Sequence, residues 1–385
     1  MGEYADLAER DRRLARTRSA MEAAGLDALI VVGKGHWWTG RGYIRYFTDF
    51  HIWGHDGLLC IPLNDEPFMV FSSYAVAERI AARGWVTDVR GDVYQAPRLV
   101  EMMRQKGVTR GRIGIAGRRY ILSAGNYDIL ADGLPEVDFV DADDLMDRVR
   151  SVKSALEVRQ IREHWVLTKA AMERFVEAIE PGKSQRELAA EASAVALAGG
   201  ARDMLVFIGE RPDELDPPRD VPVRCDDILR YHMEICGESG HWSEITVNCA
   251  FREPTDMEYK LVESELRALD AITPMAKPGA RLSELASLFE ETLRADGWDI
   301  GSPTTHFDFH GQGMDTIERP WHAAESPWGQ SQDWVLEAGM VFSYHPRRIV
   351  EPAPGWSTGI NEDVLITEQG LERFGNGWSH RWRVM

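Results

Sequence analysis

The first 150 residues alternate between helical and extended hydrophobic patterns. Apolar positions from Arg13 to Ala24 follow a helical spacing that stops at Gly25, which predicts an amphipathic helix closed by a glycine. Short apolar runs bounded by turn residues predict buried strands. These runs are residues 27–32, 57–62, 68–71, 113–116 and 137–140. The alternation predicts an α/β domain that ends near residue 150.

A longer helical pattern follows this domain. Apolar residues recur at roughly helical spacing from about Lys153 to Ile179. This pattern predicts a long helix at the start of a second domain, residues 151–385.

The second domain contains an internal repeat. Each copy has a Pro-Gly turn, a Glu-Leu-Ala run in a helical pattern and a closing glycine. These parts lie at residues 181–182, 187–189 and 200 in one copy and at 278–279, 284–286 and 297 in the other. Ser184 and Glu187 also have capping-box spacing. The constant offset of 97 residues favours a duplication, and paired halves leave a cleft in which ligands tend to bind.

Composition narrows the functional classes. The chain has 44% apolar and 28% charged residues, as expected of a globular protein. Its net charge of −18 argues against nucleic acid as a partner, because phosphates would be repelled. No apolar run approaches the ~18 residues of a membrane helix, and the N-terminus lacks a signal pattern. Four cysteines without a Cys-x-x-Cys pair fit a reducing compartment, so we expect a cytoplasmic protein.

Two polar runs in the second domain carry the candidate chemistry. They are His-Gly-Gln-Gly-Met-Asp-Thr-Ile-Glu-Arg-Pro at 310–320 and Leu-Glu-Ala-Gly-Met-Val-Phe-Ser-Tyr-His-Pro at 336–346. With a hairpin pattern at 228–246, they resemble the creatinase/prolidase family, also called M24. The resemblance implies an N-terminal creatinase-like domain, a duplicated pita-bread domain of α/β (α+β) class, and a homodimer.

The resemblance also identifies the positions where many family members hold two metal ions. The two aspartates, one histidine and two glutamates of those members fall on Met233 (or Glu234 after a one-residue shift), Glu244, His310, His345 and Asn361. Four carboxylates balance two divalent cations, whereas these positions supply a charge of −1 or −2. A two-metal site is therefore not expected, although Glu362 would restore one ligand if a bulge shifted its strand.

Two catalytic interpretations remain open. In the first, Glu244, His310 and His345, with Glu234 nearby, transfer protons without a metal, as in the creatinase-like branch. In the second, Glu244, His310 and His345 bind one divalent metal ion, since two histidines and a carboxylate form a recognised ligand set. A structural role for His345 in the core is a further alternative.

Neither known mechanism of the family transfers intact. The creatinase branch carries a catalytic histidine before the hairpin, and residues 214–220 contain none. Creatinase also keeps a glutamate at the position of Asn361. The resemblance therefore predicts a substrate other than creatine or a proline peptide.

Several side chains are candidates for substrate binding. Trp242 and Trp356 suit an aromatic or cationic small molecule, and Asn361 and Arg347 could bind its polar groups. The segment at 46–55 resembles the loop that a neighbouring subunit contributes in the family. Within this segment, Trp53 and His55 are the candidate substrate-binding residues. Core packing and surface exposure are the alternative explanations for these residues.

The sequence as a whole predicts a cytoplasmic, homodimeric enzyme without metal. It would hydrolyse a C–N bond of amide or amidine type in a small molecule, or eliminate by proton abstraction. The alternatives are a mononuclear metal-dependent hydrolase or Xaa-Pro-type peptidase, and a binding protein without activity.

Overall fold

The computed structural model describes residues 6–35, 40–52, 54–303, 309–322, 333–345, 347–357, 360–375 and 377–385. The chain divides into two compact units. Unit 1 comprises residues 1–150 and 314–317, and unit 2 comprises residues 151–313 and 318–385.

Unit 1 alternates helices with strands, as the hydrophobic pattern predicts. Its elements are α1 (Leu7–Ala24), β1 (Ala28–Lys34), α2 (Arg41–Thr48), β2 (Asp56–Pro62), β3 (Phe68–Phe71), α3 (Tyr74–Arg83), β4 (Asp88–Gly91), α4 (Gln95–Gln105), β5 (Arg110–Ala116), α5 (Ala124–Gly133), β6 (Glu136–Asp141) and α6 (Asp143–Ser151).

One mixed sheet organises unit 1. Its strand order is β4-β3-β2-β1-β5-β6, and β1 runs antiparallel to β2 but parallel to β5. Nearly every residue of β1 to β3 is buried, as expected of strands covered by helices on both faces. The predicted α/β class is confirmed. The first helix begins six residues earlier than its apolar pattern indicates, because the side chain of Asp6 caps the amide of Glu9.

Asp315, from the polar run at 310–320, belongs to unit 1. Its carboxylate accepts hydrogen bonds from the amides of Gly40 and Gly42 and pairs with Arg150 at 2.8 Å. A Cβ atom on Gly42 would lie 2.7 Å from Asp315 Oδ2. Asp315 therefore has a structural role in this unit.

Unit 2 begins with the predicted long helix. Its elements are α7 (Ala155–Ala178), α8 (Gln185–Ala198), β7 (Asp203–Gly209), β8 (Ile228–Cys236), β9 (Trp242–Ala250), α9 (Asp256–Ile272), α10 (Leu282–Ala295), β10 (Asp299–Pro303), β11 (Phe309–Gly311), β12 (Glu318–His322), β13 (Val341–Tyr344), β14 (Arg347–Glu351), β15 (Glu362–Thr367), β16 (Gly370–Arg373) and β17 (Arg383–Val384).

The internal repeat has a structural counterpart. Helices α8 and α10 each have 14 residues and begin 97 positions apart. The glycines of both Pro-Gly turns, Gly182 and Gly279, have φ near +95° and +92°, and each helix ends before a glycine with positive φ. Ser184 and Glu187 form the predicted capping box.

The main sheet of unit 2 has the order β12-β11-β13-β15-β9-β8-β7. Strand alternation divides β8 and β9 into two faces. One face packs into an apolar core with α7 and α8 through Tyr231, Met233, Ile245 and Val247. The other face carries polar side chains, which are buried although they are ionisable or hydrogen-bonding. Buried polar groups on a single face mark the candidate site.

No helix in the described ranges combines the length and hydrophobicity that a membrane crossing requires.

Candidate active site

The β8–β9 hairpin supplies the first part of the site. Its register places Glu234 opposite Glu244 and His232 opposite Thr246. The Nε2 atom of His232 lies 3.2 Å from Glu234 Oε1 and 3.7 Å from Glu244 Oε2. All four side chains are buried. The hairpin therefore concentrates two carboxylates around one imidazole.

Strand β11 and the end of β13 supply the other two histidines. The Nε2 atom of His310 lies 2.8 Å from Nε2 of His345. Glu244 Oε1 is 3.2 Å from His345 Nε2 and 3.6 Å from His310 Nε2. The predicted catalytic residues Glu234, Glu244, His310 and His345 thus form one cluster, because β9, β13 and β11 are near neighbours in the sheet.

Asn361, just before β15, lies beside this cluster. Its Nδ2 atom is 3.2 Å from His345 Nδ1 and 3.3 Å from the carbonyl oxygen of Tyr344. Its Oδ1 atom accepts a hydrogen bond from the hydroxyl of Thr246 at 3.0 Å. The amide therefore connects His345 to the β9 strand.

Glu244 is the central charge of the cluster. Burial alone would raise its pKa, but the contacts with His345 and His310 outweigh burial and hold the pKa below its ordinary value. Glu244 is therefore a carboxylate at neutral pH. Its Oε1 atom faces both imidazoles, whereas Oε2 has no aligned donor among the described residues and can accept a hydrogen bond from a bound molecule.

The neighbouring imidazoles respond to this charge. Burial lowers the pKa of His310, and the contact with Glu244 more than compensates, so its pKa is raised. Burial also lowers the pKa of His232, while Glu234 raises it above the ordinary histidine value. Burial and the charge of Glu244 raise the pKa of Asp363, which accepts from the Glu244 amide. The pKa of each of these three groups is therefore set by burial together with a charged neighbour.

Sequence reasoning missed His232 and Thr246. The signal was present, since both hairpin strands carry polar residues at every second position. These are Arg230, His232 and Glu234 in one strand and Glu244, Thr246 and Asn248 in the other. Polar alternation in otherwise apolar strands indicates one functional face.

The hairpin register decides between the two candidates for the first ligand position. Met233 pairs with Ile245 and lies in the apolar core, whereas Glu234 faces Glu244. The suggestion that Glu362 restores a ligand is wrong. The β13–β15 register is regular, and Glu362 pairs with Arg373 at 2.6 Å and with His380 at 3.0 Å.

The substrate-binding candidates are more dispersed. Trp242 is buried on the same strand as Glu244 and at alternate spacing to it. Trp356 lines a narrow cavity with Arg230 and Asn248, not with the histidines. His55 belongs to unit 1, where its ring packs against Phe71. Trp53 and the side chain of Arg347 lie outside the described residues.

Comparison with known proteins assigns the family. Residues 159–368 match metallopeptidase family M24, and residues 13–152 match the creatinase/prolidase N-terminal domain. The chain therefore belongs to metallopeptidase family M24, which confirms the resemblance seen in its motifs.

Individual relatives span most of the chain. It is 24% identical to ectoine hydrolase of Halomonas elongata over 390 aligned positions, covering 94% of this chain and 93% of that protein. It is 26% identical to Xaa-Pro dipeptidase of Pyrococcus furiosus over 61% of this chain and 66% of that one. The solved structure of dipeptidase PepE from Mycobacterium ulcerans superposes with a TM-score of 0.79 at 22% identity, covering 99% of both chains. That likeness establishes the pita-bread fold.

The residues present do not fit the two metal ions that this fold commonly holds. Met233 is in the core, Glu362 is paired elsewhere, and both ends of the Asn361 amide are engaged. Two groups of three donors, which share Glu244, have their ligand atoms within 4.8 Å of one another: Glu244 with His310 and His345, and Glu244 with His232 and Glu234. Their two carboxylates cannot balance two divalent cations, whereas the group of Glu244, His310 and His345 meets the donor count for a single ion. Whether this group can bind an ion then depends on whether Nε2 of His345 carries a proton.

Proposed function

We propose that this protein hydrolyses a C–N bond of amide or amidine type in a small molecule, with Glu244, His310 and His345 as catalytic residues and no metal ion. The observation that carries the proposal is a buried carboxylate whose Oε1 atom lies 3.2 Å and 3.6 Å from two imidazole nitrogens and whose Oε2 atom has no aligned donor among the described residues. Such a group can orient water or a substrate N–H beside a base. The similarity to ectoine hydrolase and to dipeptidases supports a C–N bond as the target.

The residues have separate roles in this reaction. Glu244 orients the attacking water, and the Nε2–H of His345 turns from His310 to Glu244 Oε1 at 3.2 Å. The freed Nε2 of His310 then removes a proton from the water while the water oxygen bonds to the substrate carbon. His310 then delivers the same proton to the leaving nitrogen as the C–N bond breaks. General acid–base transfer of this kind contributes about 10²–10⁴-fold to rate.

Asn361, Trp242 and Glu234 complete the site in this proposal. Asn361 holds His345 by a hydrogen bond, and Glu234 lies beside His232 and balances the positive charge of its ring. Trp242 supplies a large apolar surface on the strand of Glu244, which suits an aromatic or cationic substrate.

The test is turnover in buffer treated with EDTA, with ectoine and Xaa-Pro dipeptides as the first probes. Products are identified by mass spectrometry in water enriched in ¹⁸O. Incorporation of one ¹⁸O atom per product without added metal supports hydrolysis by the proposed route. Elimination would give a product without ¹⁸O. Hydrolysis of dipeptides only after addition of one divalent ion would instead favour the mononuclear peptidase.

A further inference from the structure

A chain of hydrogen bonds runs through the site from His232 to His310. Its links are His232 Nδ1 to Thr246 Oγ1 at 2.9 Å, Thr246 Oγ1 to Asn361 Oδ1 at 3.0 Å, Asn361 Nδ2 to His345 Nδ1 at 3.2 Å, and His345 Nε2 to His310 Nε2 at 2.8 Å. Each link needs one donor and one acceptor. Once one group is known to be a donor or an acceptor, the direction of every hydrogen bond in this series follows.

Backbone carbonyls fix that direction at two points. The Tyr344 carbonyl can only accept, so the Asn361 atom at 3.3 Å from it is Nδ2, which donates. The Gly311 carbonyl likewise accepts from His310 Nδ1 at 3.0 Å, which leaves Nε2 of neutral His310 with a lone pair.

The roles of the remaining atoms follow. Because Asn361 Nδ2 donates, Nδ1 of His345 accepts and its proton lies on Nε2, directed at the lone pair of His310. Because Asn361 Oδ1 accepts from Thr246, the hydroxyl of Thr246 in turn accepts from Nδ1 of His232. Nε2 of His232 then needs its own proton to face Glu234, and the raised pKa of His232 agrees with a charged ring.

We infer that Asn361 is a positioning residue that holds His345 in the tautomer with its proton on Nε2, and that this tautomer prevents the group of Glu244, His310 and His345 from binding a metal ion. A metal ligand must offer a lone pair, and the nitrogen of His345 that faces the cluster does not. The inference concerns the same site as the proposed function and deepens it by assigning His345 as a donor and His310 as an acceptor.

A single substitution reverses this polarity. Asn361→Asp replaces the donor beside His345 Nδ1 with an acceptor, so the proton of His345 moves to Nδ1 and its Nε2 gains a lone pair. Glu244, His310 and His345 then present three ligand atoms within 4.8 Å. Partners that orient a ligating histidine typically change metal affinity by about 10–100-fold.

Co²⁺ titration followed by calorimetry tests this inference. We expect Asn361→Asp to bind one equivalent of Co²⁺ at least about tenfold more tightly than the wild type, within the range for orienting partners. The gain should disappear in Asn361→Asp combined with His345→Ala, whereas a gain that survives His345→Ala would show that the new carboxylate itself binds the ion and would overturn the inference. Asn248→Asp is the matched charge control, since Asn248 is also buried but lies on β9 and bonds to the His380 carbonyl. An equal gain in the Asn248 variant, no gain in the Asn361 variant, or His345-dependent binding of one Co²⁺ by the wild type would overturn the inference.

Nitrogen-15 NMR of histidine-labelled wild-type protein provides a direct readout if Asn361→Asp does not fold. The His345 signals, assigned by their loss in His345→Ala, should show a protonated Nε2 and an unprotonated Nδ1. A protonated Nδ1 in the wild type would refute the tautomer assignment. Neither measurement uses turnover. A correct tautomer in a protein without hydrolase activity would therefore reject the proposed function and leave the role of Asn361 intact.

Discussion

The Nε2 atoms of His310 and His345 lie 2.8 Å apart, so a single proton must lie between them. Two lone pairs or two N–H groups would repel at that distance. Since His310 donates from Nδ1 to a backbone carbonyl, the proton between the rings comes from His345. The pair is thus a base next to its own hydrogen-bond donor, and His345 must turn its N–H away before His310 can take a second proton.

The pH dependence of activity should report on this pair. Contact with Glu244 raises the pKa of His310 against the effect of burial. His310 must be unprotonated to act as a base, so kcat/KM should fall as the pH decreases through that raised pKa. In Glu244→Gln the raising charge is gone, and the acidic limb of the kcat/KM profile should move to lower pH.

Glu234→Gln is the control for this prediction, because the charge of Glu234 is the last of the groups that raise the pKa of His310. Its profile should move less than that of Glu244→Gln. An acidic limb at the same pH in the wild type and in Glu244→Gln would show that Glu244 does not set the pKa of the base.

Removal of the His310 side chain should abolish most activity. We expect His310→Ala to reduce kcat by about 10²–10⁴-fold, the usual contribution of a general base. Steady-state kinetics on a substrate that the wild type hydrolyses, with circular dichroism to check folding, provides the measurement. His164→Gln should keep wild-type kcat at pH 7, since His164 bonds to the Ile235 carbonyl on the helix side of the sheet. Full activity of His310→Ala would exclude His310 as a catalytic residue.

His164 should make stability depend on pH. Burial lowers the pKa of His164 to about 4, and its Nε2 donates to the Ile235 carbonyl at 2.7 Å. The unfolded chain takes up this proton near pH 6.5, before the folded protein does. The stabilisation is therefore complete above that pH and is lost as the pH falls toward about 4. Its size is about 3 kcal/mol, from 1.36 kcal/mol per pKa unit.

His164→Gln isolates this contribution, because glutamine can donate the same hydrogen bond and does not titrate. Urea unfolding at pH 7 and at pH 4.5 gives the free energy of unfolding for both proteins. The wild type should lose more stability than the variant between these pH values. Equal losses would mean that His164 is not buried as a neutral ring.

The buried pair of Lys153 and Glu318 should be a strong determinant of the stability of unit 2. Lys153 Nζ lies 2.9 Å from Glu318 Oε2, and both side chains are 2% exposed. Lys153→Met removes this partner of a buried carboxylate and should lower the free energy of unfolding by about 3–5 kcal/mol. Glu318→Gln should cost less in the Lys153→Met background than in the wild type, as measured by a double-mutant cycle of unfolding free energies. Additive effects would show that the two groups do not interact.

The sequence by itself determined the family, the α/β class and the duplicated domain, because these depend on local hydrophobic period, glycine turns and motif spacing. It also predicted Glu244, His310 and His345 as the catalytic residues, since charge can be counted without coordinates. Those three side chains do lie within contact distance.

Only the tertiary structure decided which neighbours these residues have. A one-residue change of register turns a strand side chain to the opposite face. For that reason the pairing of Glu234 with Glu244, and the burial of Met233 in the core, could not be read from spacing. The direction of Glu362, the contact of His232 with Glu234, and the carbonyl that orients Asn361 likewise depend on packing between distant segments. Hydrogen-bond polarity is a property of neighbours in space, so the tautomer of His345 is fixed only once the strands are assembled.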